Sequence, residues 1–198
     1  MGRAYRQREY RYLVSQMRGI LHPWHDITFG AKAPYIVNAV IEIPKGSKAK
    51  FELDKASGLL KLDRVLYSAV HYPANYGFIP QTYDDDKDPL DIMVICSEVL
   101  PPNCIVEAKV IGVMKMIDAG DNDSKIIAVA AHDASVNHIN EIHELPPHTT
   151  REMKHFFEEY KVLENKSVVV EDFLSKEVAF DAIRRSIQIY RETYGQGA

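Results

Sequence analysis

Hydrophobic positions come in short runs through the first two thirds of the chain, then recur at helical spacing in the last third. Residues 35–43 (YIVNAVIEI) form a β-branched run stopped by Pro44, the pattern of a strand. Residues 50–53 and 59–62 alternate on either side of Ala56-Ser57-Gly58, a turn signal, and predict a hairpin. Apolar runs at 92–95, 105–113 and 126–130 add strands separated by turns rich in Asp, Gly and Pro. Strands at short intervals without intervening helices favour an antiparallel sheet or small barrel over a parallel α/β sheet. From Thr149 the period changes. Thr149 followed by Glu152 fits a capping box, and Met153, Phe156, Phe157, Tyr160 and Leu163 share one helical stripe. A second helix opens at Ser175, with Ala179, Ala182, Ile183, Ile187, Tyr190 and Tyr194 on one face. The predicted architecture is α+β, a small barrel packed with two C-terminal helices, in one domain over residues 22–198.

Composition narrows the class. A chain of 198 residues, 46% hydrophobic and 26% charged, suits one globular domain. The net charge of -4 argues against a dedicated nucleic-acid binder, and no apolar run approaches the ~20 residues of a membrane helix. Cys96 and Cys104 lack disulfide-framework or metal spacing, so free thiols in a reducing, cytoplasmic setting are expected. Charge is uneven, however. Residues 1–21 hold five arginines against Glu9, a net of +4 that leaves -8 for the rest. Within this basic arm Tyr10, Leu13, Val14, Met17 and Leu21 recur at helical spacing. A short helix docked on the body or on a neighbouring subunit is expected, with a transit peptide to an organelle as the other reading.

The acidic residues concentrate in two runs. Five Asp fall within residues 84–91, directly before an apolar strand, and Asp118, Asp121 and Asp123 separate two others. Crowded carboxylates raise one another's pKa unless a cation neutralises them. Two solvated turns would explain the same residues, so metal binding and plain acidic loops stand about even at this point. Without Cys or His partners, oxygen ligands favour Mg, Mn or Ca over Zn. An EF-hand fails because Pro89 and Ile95 stand where Gly and Glu are needed, and Pro146-Pro147 break the helix a His143-Glu144…His148 zinc motif requires. Magnesium is the better fit. Lys50 and Glu52 share one strand face, Glu42 is an acid inside an apolar strand, and Asp63-Arg64 closes the hairpin. Residues 71–77, with Tyr72 and Tyr76, form a constrained turn. Tyr160 lies on its helix stripe beside Lys161. Each has a structural explanation as a strand face or core tyrosine, but together they supply the cations and phenols that a metal-bound phosphate requires. No P-loop and no GxSxG elbow is present. Spacing alone thus reaches a divalent-metal site acting on a small phosphate.

The run Asp86-Lys-Asp88-Pro89-Leu90-Asp91 resembles the D-x-D-P-hydrophobic-D signature of soluble family I inorganic pyrophosphatases. The order of further motifs is similar too: Val40-Ile-Glu42-Ile-Pro44, Lys50-Phe-Glu52-Leu-Asp54, Asp63-Arg64, Tyr72-Pro-Ala-Asn-Tyr76-Gly77, residues 118–125 and Phe156-Phe-Glu-Glu-Tyr160-Lys161. The likeness spans about residues 22–190, and His22-Pro23-Trp24-His25-Asp26 resembles the plant-type branch. The resemblance implies a five-stranded OB-like barrel, Mg-dependent hydrolysis of pyrophosphate and a homo-oligomer. It implies that Asp86, Asp91, Asp118 and Asp123 bind magnesium, Asp91 and Asp123 between ions, with Asp88 as general base. Lys50, Arg64, Tyr76, Lys125, Tyr160 and Lys161 would hold pyrophosphate, while Glu42, Glu52 and Tyr72 would support the cavity. Lys87 departs from the signature, in a slot usually small, polar or acidic, but it alternates away from Asp86 and Asp88 and should have little effect. The rival expectations are a hydrolase of organic phosphates and an OB-type module for single-stranded nucleic acid, for which the acidic mouth is unsuited.

Overall fold

The structure, a computed structural model, describes residues 21–118 and 120–195. The expected helix of the basic arm lies outside these residues, apart from Leu21, which is exposed. Eight strands are formed among the described residues: β1 (Ile36–Ile43), β2 (Ala49–Leu53), β3 (Leu60–Val65), β4 (Asn75–Phe78), β5 (Asp91–Ile95), β6 (Ile105–Asp118), β7 (Asp121–Ala130) and β8 (Val168–Ser175). Helix α1 (Pro147–Glu159) precedes β8, and helix α2 (Lys176–Tyr194) follows it.

Five of these strands form the expected barrel. β1 pairs with both β4 and β6, which closes the order β1-β4-β5-β7-β6 into a ring, and β8 extends it along β6. The ring is antiparallel at four of its pairings but parallel at β5–β7. The cause is β6, whose 14 residues cross the barrel and turn back into β7 in the direction of β5. A parallel pair needs a crossover, and here a strand supplies it instead of a helix.

Both faces of the barrel wall are covered. Along β7, Ile126, Ala128 and Ala130 belong to the core that includes Ala179, Phe180, Ile183 and Ile187 of α2. Ile127 and Val129 belong to the core that includes Met153, Phe156 and Phe157 of α1. A strand buried on both sides reads as a continuous apolar run, which is how the sequence presents it.

Four local features differ from expectation. Residues 75–77, expected within the turn at 71–77, belong with Phe78 to β4, which is buried throughout. Gly77 is required there because a Cβ would stand 1.9 Å from the Val40 carbonyl oxygen. β8 interrupts the two helices, with Val168 and Val170 buried and Val169 exposed. α1 starts at Pro147 without a side-chain cap, since proline's fixed φ suits the first helical position, so the Thr149–Glu152 box is not used. Leu163 lies past the end of α1 and is exposed, leaving Met153, Phe156, Phe157 and Tyr160 as the buried stripe.

Candidate active site

Strand ends and connecting loops converge on one cavity of about 300 Å³. β1 brings Glu42, the β2–β3 hairpin brings Lys50 and Glu52, and the chain entering β4 brings Tyr72 and Tyr76. The turn before β5 supplies Asp86 and Asp88, and Asp91 opens β5 itself. Asp118 closes β6, Asp123 and Lys125 stand on β7, and Tyr160 and Lys161 follow α1. Every site residue expected from sequence lines this cavity except Arg64.

Local hydrogen bonding explains how the aspartates come together. In the turn, Asp84 N–H donates to the Asp88 carbonyl at 2.9 Å, and Asp88 N–H donates to Asp86 Oδ1 at 2.9 Å. Residues 118–123, expected as an acidic loop, instead continue the β6–β7 ladder until Asp118 pairs with Asp121. Gly120 (φ +98°) supplies the left-handed backbone of that tight turn. The ladder therefore fixes Asp118 and Asp123 on rigid strands rather than leaving them on a solvated loop.

Burial makes the charge expensive. Desolvation, with Asp91 nearby, pushes the Glu42 carboxyl up to about 8, although its Oε1 accepts the Leu53 N–H at 2.8 Å. Desolvation likewise raises Asp86 to about 6 and lifts Asp123 above the usual range. Lys125, 4% exposed, bonds both Asp91 and Asp123, the latter at 2.6 Å. Burial alone would lower its ammonium, but those two carboxylates hold it above its ordinary value. Lys161 bonds Asp118, and the Tyr160 hydroxyl donates to the same oxygen at 3.3 Å. Burial first, then neighbouring carboxylates, raise Tyr72, Tyr76 and Tyr160, so these phenols stay protonated donors.

The donor set fits a hard divalent cation. Among the described residues, seven carboxylates line the cavity against four lysines, and the buried Asp118 Oδ1 has no hydrogen-bond partner. An orphaned carboxylate oxygen among oxygen donors is what an ion such as magnesium would satisfy. Among the described residues no three acidic, His or Cys side chains already close on one point as a cage. Lys125 and Lys161 lie among the aspartates and balance part of their charge instead.

One residue that the motifs did not single out belongs here. Lys55 lines the cavity, pairs with Asp88 and donates to the Lys87 carbonyl at 3.1 Å. Its signal was a base directly after the Lys50-Phe-Glu52-Leu-Asp54 strand, which alternation alone assigns to the turn. Lys87 itself is exposed and outside the cavity, as alternation predicted, although its backbone is left-handed at φ +68°. Arg64 stands on β3 opposite Lys50, its Nε donating to Glu164 at 2.7 Å and its Nη1 to Asp63.

Comparison with known proteins points one way. A family model described as inorganic pyrophosphatase matches residues 39–191. Soluble inorganic pyrophosphatase 4 of Arabidopsis thaliana is 54% identical over 171 residues, covering 86% of this chain and 79% of its own length. A soluble inorganic pyrophosphatase of Oryza sativa subsp. indica is 52% identical over 177 residues, covering 89% and 83%. Among solved structures, inorganic pyrophosphatase from Thermus thermophilus matches with a TM-score of 0.82 at 40% identity, covering 85% of this chain and 99% of that one.

Proposed function

The chain belongs to the inorganic pyrophosphatase family, and from that premise we infer that it hydrolyses inorganic pyrophosphate to two orthophosphates. The observation that carries this reading is the gathering of seven carboxylates, four lysines and three buried phenols around one cavity. Such a site suits a small polyanion accompanied by cations.

We assign magnesium as the metal, which Asp86, Asp91, Asp118 and Asp123 would hold. Bound there, it supplies charge neutralisation and lowers the pKa of water. The protein's own groups do the rest. Asp88 accepts the proton of the water that attacks phosphorus in line, and the bridging P–O bond breaks to release orthophosphate. Lys50, Tyr76, Lys125, Tyr160 and Lys161 hold the phosphoryl oxygens and offset the charge that grows on the leaving group, while Arg64, outside the cavity beside Lys50, adds positive charge from behind. Glu42, Glu52 and Tyr72 shape the cavity wall. Glu42, neutral near pH 7 without a bound cation, avoids adding one more buried negative charge.

We also expect a homo-oligomer in the cytoplasm, or in an organelle if residues 1–21 direct import, without nucleic-acid or membrane partners. Among the described residues no helix is long and apolar enough to cross a membrane.

The test is orthophosphate release from pyrophosphate, ATP and a sugar phosphate, each with magnesium or a chelator. Release from pyrophosphate alone, and only with magnesium, is expected. Preferential cleavage of an organic phosphate would contradict the assignment.

A further inference from the structure

The β2–β3 hairpin forms one wall of the cavity yet shares no backbone ladder with the barrel. Side chains fasten it instead. Near its turn, Lys55 pairs with Asp88, and on β2 the Leu53 N–H meets Glu42. On β3 the fastening is Arg64, whose Nε donates to Glu164 Oε1 at 2.7 Å.

Glu164 has no place in the chemistry above and does not line the cavity. Its side chain is nevertheless only 9% exposed, while Arg64 is 20% exposed. A carboxylate withdrawn from water needs a strong partner, and Arg64 is the near one, with Lys166 standing 3.9 Å away and exposed. Glu164 also follows Lys161 by three residues, at the end of a short turn after α1. From it a run of charged contacts leads back to the cavity. Arg64 Nη1 and Lys50 Nζ both donate to Asp63 Oδ2, and Lys50 pairs with Glu52. The run therefore starts three residues beyond Lys161 and ends at Lys50 and Glu52, which line the cavity.

We propose that Glu164 is a positioning residue: by holding Arg64 it buckles the β2–β3 hairpin across the cavity. Lys50, which lines the cavity and is the register partner of Arg64, is then held toward the same pyrophosphate that Tyr160 and Lys161 bind. This rests on the pyrophosphatase reading and deepens it, because prealigned cations lower the ordering cost of binding a small anion.

The test uses full-length wild type, E164A, E164Q, R64A and R64A/E164A. It combines phosphate release, calorimetric binding of pyrophosphate and amide hydrogen exchange over residues 49–65. E164A should raise KM and Kd about tenfold with a much smaller change in kcat, the loss expected for one charged hydrogen bond. E164Q keeps an acceptor for Nε and should raise them only about threefold. Exchange should quicken in the hairpin and not in β6 or β7. In the R64A background, adding E164A should raise KM no further, because the effect runs through Arg64. An E164A protein with wild-type KM and Kd overturns the proposal even if its Tm falls, and so does simple additivity with R64A. A wild type inactive on pyrophosphate overturns the underlying reading too, an outcome visible before any variant is compared.

Discussion

Strand β7 passes through two opposite environments within a few residues. From Ile126 to Ala130 every side chain is apolar and almost wholly buried, shared alternately between the cores under α1 and α2. Just before that run, Asp123 and Lys125 stand in the acidic cavity with raised pKa values and a neighbouring unpartnered Asp118 oxygen. The apolar half satisfies itself by packing. The charged half is held in place by that packing and is left electrostatically incomplete. Rigidity in one half is what allows repulsion to persist in the other, and crowded carboxylates of this kind favour cations.

The largest effect that separates the two halves should come from Asp88→Asn. It changes no barrel contact, so folding and metal binding should survive while pyrophosphate turnover falls by about 10² to 10⁴. Near-wild-type turnover would remove Asp88 as the base. Gly77→Ala acts on the other half. Its Cβ has no room beside the Val40 carbonyl, so denaturant unfolding should show a loss of about 4 kcal/mol or more, far beyond a typical substitution. An unchanged midpoint would mean that β1 and β4 separate easily.

A subtler contrast is in pH. The folded Glu42 carboxyl sits at about 8 against an ordinary 4.5, so the folded state holds its proton where the unfolded chain has released it. Its stabilising contribution is complete below about pH 4.5 and is lost as pH rises through about 8. In metal-free wild type the slope attributable to Glu42 approaches about 1.4 kcal/mol per pH unit in that window. Glu42→Gln, which cannot titrate, should flatten the slope, and equal slopes in the two proteins would show that Glu42 does not carry the proton.

The halves also differed in how legible they were. Apolar periodicity carried β1, β5, α2 and the apolar half of β7 closely, because burial on a fixed face leaves a pattern that one chain displays. It did not reveal β4, whose Asn75-Tyr-Gly77-Phe is short and held by close backbone approach to β1, or β8, which has one buried face. It also could not show that β5 and β7 run parallel, since the direction of a pairing depends on where β6 takes the chain. In the cavity, motif resemblance named the residues that converge, yet spacing alone could not bring Glu42 and Lys161 together across more than half the sequence. Lys55 and Glu164 escaped because their roles lie in contacts with Asp88 and Arg64, distant in sequence, and neither belongs to a periodic face.

The central claim is that the acidic mouth is completed by divalent ions bound between strand ends. Its most direct test is the thermal midpoint of the substrate-free chain across a magnesium titration, in wild type and Asp91→Ala. Wild type should gain several degrees as magnesium saturates, about 2.7 kcal/mol at a hundredfold excess over Kd. Asp91→Ala should gain much less and need more metal. A wild-type midpoint indifferent to magnesium, or one that rises equally without Asp91, would contradict it.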